Sequence, residues 1–391
     1  MQNKILKNNL TTIILCGGKG KRLFPLTKNL PKPLIKINGR EILTYILKNQ
    51  LKYNLNGSAK FLSKYGQERE DLTEEKIYNL FKKFQPECIV HLGENPSAPY
   101  SMIDQAHATW VHQNNVIGSL NILYAMKEAA PDAHLVKLGS MGEYGQPNVD
   151  IPEGYFEVEF RGRKDFLPFP RQGGSWYHQT KVHDTNNTIF ACKIWGLRST
   201  DIMQGVVYGS RIDEMGDNDP RLRTRLDFDE CFGTAINRFC CQAAVGEPLT
   251  PFGLGTQKRT FLPLRDSMEC LTLALTNPPE FGEYRTFNQF EETYNIYELA
   301  EKVKKVANEI GLNSEIHRTD NPRIEKEKHY YNPDHQNLLE LGYVPKHAMD
   351  SELKSMLEDL VKNKERILKV KDVLIPQIRW DGTKSRSNLI D

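Results

Sequence analysis

The sequence predicts an α/β protein built on a doubly wound parallel sheet with a smaller C-terminal lobe, and three observations predict it. From Leu72 onward, short β-branched apolar runs alternate with stretches of helical period. The first apolar run, Thr11 to Cys16 (TTIILC), ends in Gly17-Gly18-Lys19-Gly20, which reads as a buried strand entering a tight turn. Beyond residue 210 the alternation gives way to scattered helices around a small β region.

After the first strand, prolines at 25, 31 and 33 prevent a long helix from starting directly, so Arg40 to Tyr53 is the first amphipathic helix expected. Residues 57–71 are polar and carry no clear period. Thr73 is placed to cap a helix over Glu74 to Phe84. Strands are expected at Glu87–Leu92 and Ala133–Leu138, with a helix from Asn114 to Ala129 between them, apolar at 117, 120, 123 and 126. A helix over 177–195 leads to a strand at Arg198–Gly205. The later part predicts a helix near Phe232–Val245, strands within Leu249–Leu264, and helices at Ile296–Ile310 and Ser351–Lys369. The expected division is an atypical N-terminal βα unit at 1–56, a Rossmann-like catalytic lobe at 57–210, and a C-terminal lobe at 211–391.

Composition narrows the function classes. With 52 basic and 50 acidic side chains the formal net charge is +2, so no strong field points to nucleic acid or a membrane surface. No apolar run approaches the roughly 20 residues that a spanning helix needs. The seven cysteines are scattered without a CxxC spacing, so free thiols in a reducing cytoplasm are expected, with no disulfide frame and no metal site.

The strongest local pattern is Tyr177-His178-Gln179-Thr180-Lys181. A Tyr and a Lys at i and i+4 share one helix face. The ammonium lowers the phenol's proton affinity and makes a tyrosinate base accessible near neutral pH. Ser140 stands at the carboxyl end of the strand HLVKLG, where its hydroxyl can bond the same substrate oxygen. Ser, Tyr and Lys in this order form the catalytic set of the short-chain dehydrogenases.

Longer strings carry a more specific resemblance. GENPSAPYSMID (93–104), NNVIGSLNILYAMKE (114–128), HLVKLGSMGEYGQPNVDIPEGY (134–155), WYHQTKVHD (176–184), QGVVYG (204–209), RLDFDECFGTAINRFCCQAAVG (225–246), FNQFEE (287–292) and NPRIEKEKHYYNPDH (321–335) resemble the UDP-sulfoquinovose synthase family over about residues 71–391. The resemblance implies an extended short-chain dehydrogenase that holds NAD and takes UDP-glucose and sulfite. In this chemistry the sugar is oxidised at C4, dehydrated across C5–C6, attacked by sulfite at C6 and reduced again. It also implies a homodimer and leaves room for a partner protein that delivers sulfite.

Roles carry over with these strings. Glu143 and His178, with Met141 beside them, match the reacting centre. Gln204, Thr234, Asn237, Arg238, Arg259 and Arg323 match the nucleotide-sugar side, where an Arg can grip a diphosphate in a bidentate way. Ser97, Tyr100, Asn114 and Asn115 match the NAD side, and Asp71 and Leu72 belong to a stretch similar to the acidic patch that touches adenine.

The first 55 residues depart from that family. Leu15-Cys16-Gly17-Gly18-Lys19-Gly20-Lys21-Arg22 and Pro31-Lys32-Pro33-Leu34 are similar to the opening of sugar-phosphate nucleotidyltransferases, where Arg22 and Lys32 would contact phosphates. Gly17, Gly18 and Gly20 overlay part of a dinucleotide loop, but Leu23 stands near the place of its third glycine. The residues therefore leave further readings open: an NAD-dependent nucleotide-sugar epimerase or dehydratase, a nucleotidyltransferase-like protein, or a silent nucleotide-sugar binder.

Overall fold

The computed structural model describes residues 12–16, 36–37, 40–41, 59–63, 74–212, 226–326, 329–375 and 378–381. Its strands, in chain order, are β1 (Thr12–Cys16), β2 (Lys36–Ile37), β3 (Arg40–Glu41), β4 (Ala59–Ser63), β5 (Cys88–Leu92), β6 (His134–Ser140), β7 (Tyr155–Phe160), β8 (Arg163–Pro168), β9 (Arg198–Gln204), β10 (Val206–Tyr208), β11 (Lys258–Pro263), β12 (Tyr284–Gln289) and β13 (Glu292–Asn295).

Six of them form one parallel sheet in the order β12-β9-β6-β5-β1-β4. The central strands β1, β5 and β6 carry apolar residues on both faces because both faces are covered. Ile13, Leu15, Ile89 and Leu135 pack with Ile77 and Phe81 of the Glu74–Phe84 helix and with Ile122 and Met126 of the Gly118–Ala129 helix. Their neighbours Ile14, Val90, Val136 and Ile202 turn the other way, onto Cys270, Leu271 and Ala274 of the Leu264–Thr276 helix. The chain runs outward from β1 to β4 and then crosses back to β5, so the winding direction reverses between β1 and β5. The carboxyl ends of these two strands flank the crevice where doubly wound sheets take their ligands.

The smaller lobe packs the helices Ala235–Val245, Ile296–Glu309 and Met349–Lys362 around Ile236, Phe239, Leu299, Val303, Leu353 and Met356. Its sheet, β10-β11-β13, pairs β11 in parallel with β10 and antiparallel with β13. Three strands lie across the expected divisions: β1, from within 1–56, sits between β4 and β5; β10, from within 57–210, joins the smaller sheet; and β12, from within 211–391, forms the far edge of the main sheet.

Several elements differ from expectation. The helix expected to start at Asn114 starts at Gln105, where the Asp104 carboxylate accepts the His107 N–H at 2.9 Å. It then passes through a π turn at Gln113–Ile117 before continuing to Ala129. The extra residue in that turn changes the phase, so the buried stripe is Ser119, Ile122, Leu123, Met126 and Ala129, and Ile117 is 51% exposed. The charged C-terminal helix is broken at Asn363 into Met349–Lys362 and Lys364–Leu368. Arg40 and Glu41 belong to a short antiparallel pair with Ile37 and Lys36 instead of opening a helix. Residues 42–53 and Thr73 lie outside the described residues. The hairpin β7–β8 was not anticipated. Its two-residue turn, Arg161-Gly162, has φ of 53° and 74°, the left-handed pair that matches strand twist. Among the described residues no helix is long and apolar enough to cross a membrane.

Candidate active site

The site is built on the helix Trp176–Trp195 and the end of β6. Ser175 caps the helix, its hydroxyl accepting the His178 N–H at 3.2 Å. Gly196, at φ 68°, ends the helix in the left-handed conformation that glycine adopts without strain. Tyr177 and Lys181 therefore stand one turn apart, and both are buried. The Lys181 ammonium donates to the Leu138 carbonyl at 2.5 Å and pairs with Glu94, which lies just beyond β5. Ser140 closes β6 and caps the turn Met141–Tyr144 reciprocally: its hydroxyl accepts from Gly142 N, and its own N–H donates to Glu143 Oε1 at 3.0 Å. The Ser140 hydroxyl favours ionisation of the Tyr177 phenol. His178 lies flat against Gly142, where any Cβ would run into its ring, and its Nδ1 is 2.9 Å from Ser175 Oγ. Ser140, Tyr177, Lys181, Glu143 and His178 are thus brought together between the end of β6 and the first turns of the helix, whereas Met141 packs into the core with Tyr144, Phe169 and Met203.

Electrostatics correct one expectation. Burial pushes the Tyr177 phenol above its ordinary value, and Lys181 does not offset this because Glu94 and Glu143 act against it. Burial opposes the charge on Lys181, but Glu94, Tyr177 and Asp184 together hold its ammonium well above the usual range. Burial likewise works against the Glu94 carboxylate, yet Lys181 and His91 outweigh it and keep the group ionised. Glu143 moves the opposite way: burial, aided by Asp201, raises it against the pull of Lys137, Arg171 and Lys181. His178 is pushed down to about 3 by burial and by the nearby charges of Arg259, Arg323 and Lys181, so it is neutral at physiological pH.

Behind these residues lies a buried ionic layer that the sequence patterns did not reveal. Lys137 of β6 pairs with Asp201 of β9 at 2.9 Å, both almost fully buried. Arg171 approaches Glu143 at 3.4 Å, Tyr284 donates to Asp201 at 2.7 Å, and Thr185 reaches both carboxylates. Gly139 leaves room for this layer, since a Cβ there would collide with the Asp201 carboxylate and Met203. The available signal was a Lys inside HLVKLG and an Asp inside STDIMQ, charges within strands that otherwise read as fully buried.

A second cluster gathers arginines. Arg259 pairs with Glu325 at 2.5 Å, and Arg323 lies over the Trp380 ring at 5.2 Å. Arg238 is buried over Phe252 at 4.3 Å, donates to the Thr250 carbonyl at 3.0 Å, and is pushed down to about 9 by burial and by Arg323. Thr234 caps the helix that carries Asn237 and Arg238. Asn237 donates to the Asp227 carbonyl at 2.9 Å while its own side-chain oxygen is buried without a partner. Gln204, at the end of β9, donates to Gln289 at 2.8 Å.

On the cofactor side, Gly17, Gly18, Gly20, Asp71 and Leu72 lie outside the described residues, as do Arg22 and Lys32. Asn115 is occupied within the protein: its amide oxygen accepts from Asn95 N and Asn114, and its amide nitrogen donates to Asn95 O and Thr180. Ser97 caps a helical turn and donates to the Cys231 carbonyl. Tyr100 packs against Phe232, His107 and Trp110. Asn115 and Ser97 therefore brace the loop after β5 rather than offering free groups to a ligand. The winding reversal between β1 and β5 is where doubly wound sheets take a dinucleotide, and Lys181, paired with Glu94 just beyond β5, stands on that side of the sheet.

Comparison with known proteins agrees with this geometry. The sequence profile of the NAD dependent epimerase/dehydratase family matches residues 39–289. The chain is 49% identical over 306 residues to the chloroplastic UDP-sulfoquinovose synthase of Spinacia oleracea, a match that covers 78% of this chain and 63% of that protein. It is 47% identical over 308 residues to the UDP-sulfoquinovose synthase of Sulfolobus acidocaldarius, covering 78% of each. The N-terminal resemblance is also found: 38 residues are 58% identical to the bifunctional protein GlmU of Methanocaldococcus jannaschii, 10% of this chain and 9% of that one. Among solved structures, the UDP-glucose 4-epimerase of Thermotoga maritima with UDP-glucose matches with a TM-score of 0.63 at 18% identity, over 90% of this chain and 99% of that one.

Proposed function

The chain belongs to the NAD-dependent epimerase/dehydratase family, and from that premise we propose that it is a UDP-sulfoquinovose synthase, converting UDP-glucose and sulfite to UDP-6-sulfoquinovose. The observation that carries the reading is the second acid–base pair, Glu143 with His178, packed against the hydride-transfer set Ser140, Tyr177 and Lys181. Oxidation and reduction at C4 need only the latter set. Removing the C6 hydroxyl needs a further acid and a further base.

Tyr177, whose ionised form Lys181 and Ser140 favour, takes the proton of the C4 hydroxyl. NAD, when bound, supplies the acceptor for the C4 hydride and its return. The C4 ketone acidifies the C5 hydrogen, which neutral His178 accepts. Burial, with Arg259 and Arg323, suppresses protonation of His178, and a diphosphate between the arginines would relieve their part of it. Glu143, which burial keeps protonated to higher pH, gives its proton to the departing C6 hydroxyl. Sulfite then forms the C6–S bond, C5 recovers its proton from His178, and Tyr177 reprotonates the C4 oxygen. Gln204, Thr234, Asn237, Arg238, Arg259 and Arg323 hold the nucleotide sugar in this reading. The six described cysteines are buried free thiols, which supports a reducing, cytoplasmic setting.

The test is direct. Heat-denatured protein releases NAD, and native protein given UDP-glucose and labelled sulfite forms a labelled UDP-sugar. Formation of UDP-galactose without label would instead make the chain a 4-epimerase.

A homodimer is part of the same proposal. Ile117 and Tyr124 on one helix, and Phe190 and Ile194 on its neighbour, are each 44–58% exposed and form one apolar face. A second copy can cover such a face by twofold symmetry. Phe190→Glu is expected to halve the mass measured by light scattering, and an unchanged mass excludes this face.

A further inference from the structure

Thr185 lies one turn beyond Lys181 and is fully buried. Its hydroxyl oxygen is 3.1 Å from Glu143 Oε2 and 2.9 Å from Asp201 Oδ2, and it accepts from the Lys137 ammonium at 3.3 Å. A hydroxyl has one hydrogen, so it cannot donate to two carboxylates at once. Asp201 is anchored as the ionised partner by Lys137 and by the Tyr284 phenol. With Thr185 donating to Asp201, the contact to Glu143 is satisfied only if Glu143 itself carries a hydrogen and donates it to Thr185. An ionised Glu143 would instead draw the Thr185 hydrogen away from Asp201.

We propose that Thr185, anchored by Lys137 and Asp201, is a positioning residue that holds the Glu143 carboxyl in its proton-bearing form for loss of the C6 hydroxyl. This rests on Glu143 being the acid of the elimination. The groups facing Glu143 are Lys137 from β6, Asp201 from β9, Tyr284 from β12, Arg171 before the helix, Tyr177, Lys181 and Thr185 on it, and Tyr144 in its own turn.

The bonds set the sign of each effect. An acid works while protonated, so turnover falls as pH rises through the Glu143 titration. Thr185→Val removes the oxygen that accepts the Glu143 hydrogen, so it destabilises the protonated carboxyl and moves this alkaline limb to lower pH. Asp201→Asn removes a negative neighbour, favours ionisation and moves the limb to lower pH, each on the order of one pH unit. Thr185→Val is also expected to lower kcat about tenfold with KM for UDP-glucose unchanged, because the freed carboxyl is no longer aimed. Thr185→Ser restores both.

The experiment records the holoenzyme's pH–rate profile for these variants, together with the infrared band of the protonated Glu143 carboxyl, assigned through Glu143→Gln. The expected result is displacement of limb and band midpoint to lower pH in both Thr185→Val and Asp201→Asn. A midpoint unmoved or raised in folded Thr185→Val overturns the proposal, and so does failure of Thr185→Ser to restore it. If Asp201→Asn does not fold, the Val/Ser pair decides alone. Full turnover in Glu143→Gln would remove Glu143 as the acid, while the infrared titration would still judge its coupling to Thr185.

Discussion

Tyr177→Phe is expected to lower turnover of UDP-glucose and sulfite by about a thousandfold, within the range for loss of a positioned proton-transfer group. Only the phenol oxygen is removed. The ring keeps its place beside His178, and its backbone N–H still donates to Ser101 at 2.9 Å. UDP-glucose affinity should therefore persist, because the arginine cluster lies on the other lobe. Steady-state rates paired with equilibrium dialysis test this. Near-normal turnover would remove Tyr177 from the chemistry, and lost binding would show that the ring matters for the pocket's shape rather than for the proton. Because burial raises the phenol, any rise in turnover that follows Tyr177 ionisation should fall at a higher pH than an ordinary tyrosine would give.

The largest expected loss of stability comes from Lys137→Ala, about 3–5 kcal/mol by the usual effect of breaking a buried ion pair. Asp201 would remain in the sheet interior with its cation removed, and the shortened side chain would leave space between β6 and the Trp176–Trp195 helix. Urea denaturation reads the effect as a lower midpoint. The matched control is Lys305→Ala, whose pairs with Glu309 and Asp350 are exposed and screened by solvent. Equal midpoints for the two variants would show that the Lys137–Asp201 pair contributes no more than a surface contact.

The strands of the main sheet were legible where the run was short and apolar, as in TTIILC, ECIVHL and HLVKLG, because burial on both faces leaves few other solutions. Tyr177 and Lys181 were legible because helix geometry alone brings i and i+4 together. The ionic layer was not. Lys137, Arg171, Thr185, Asp201 and Tyr284 come from β6, a loop, a helix, β9 and β12, and each taken singly reads as an ordinary polar residue. Their meaning appears only when the sheet order sets β6 beside β9 and β9 beside β12. Ser97 and Asn115 show the converse. Their side chains suit ligand binding, but backbone groups of the loop after β5 claim them first. The net lowering of Tyr177 expected from Lys181 fails because burial, aided by Glu94 and Glu143, outweighs it.

The π turn at Gln113–Ile117 sets two demands against each other. Deleting one residue there would regularise the helix and improve its own hydrogen bonding, so the segment taken alone would gain from the loss. The same deletion would swing everything upstream by about 100° relative to the Gly118–Ala129 helix, the rotation of one residue in a 3.6-residue turn. Asn115 could then no longer hold Asn95 and Thr180 together, and the loop after β5 would lose its tie to the helix that carries Tyr177 and Lys181. Length in this stretch is therefore under tighter constraint than residue type: a substitution at its outward position 113 is tolerable, whereas any change of one in the residue count is not.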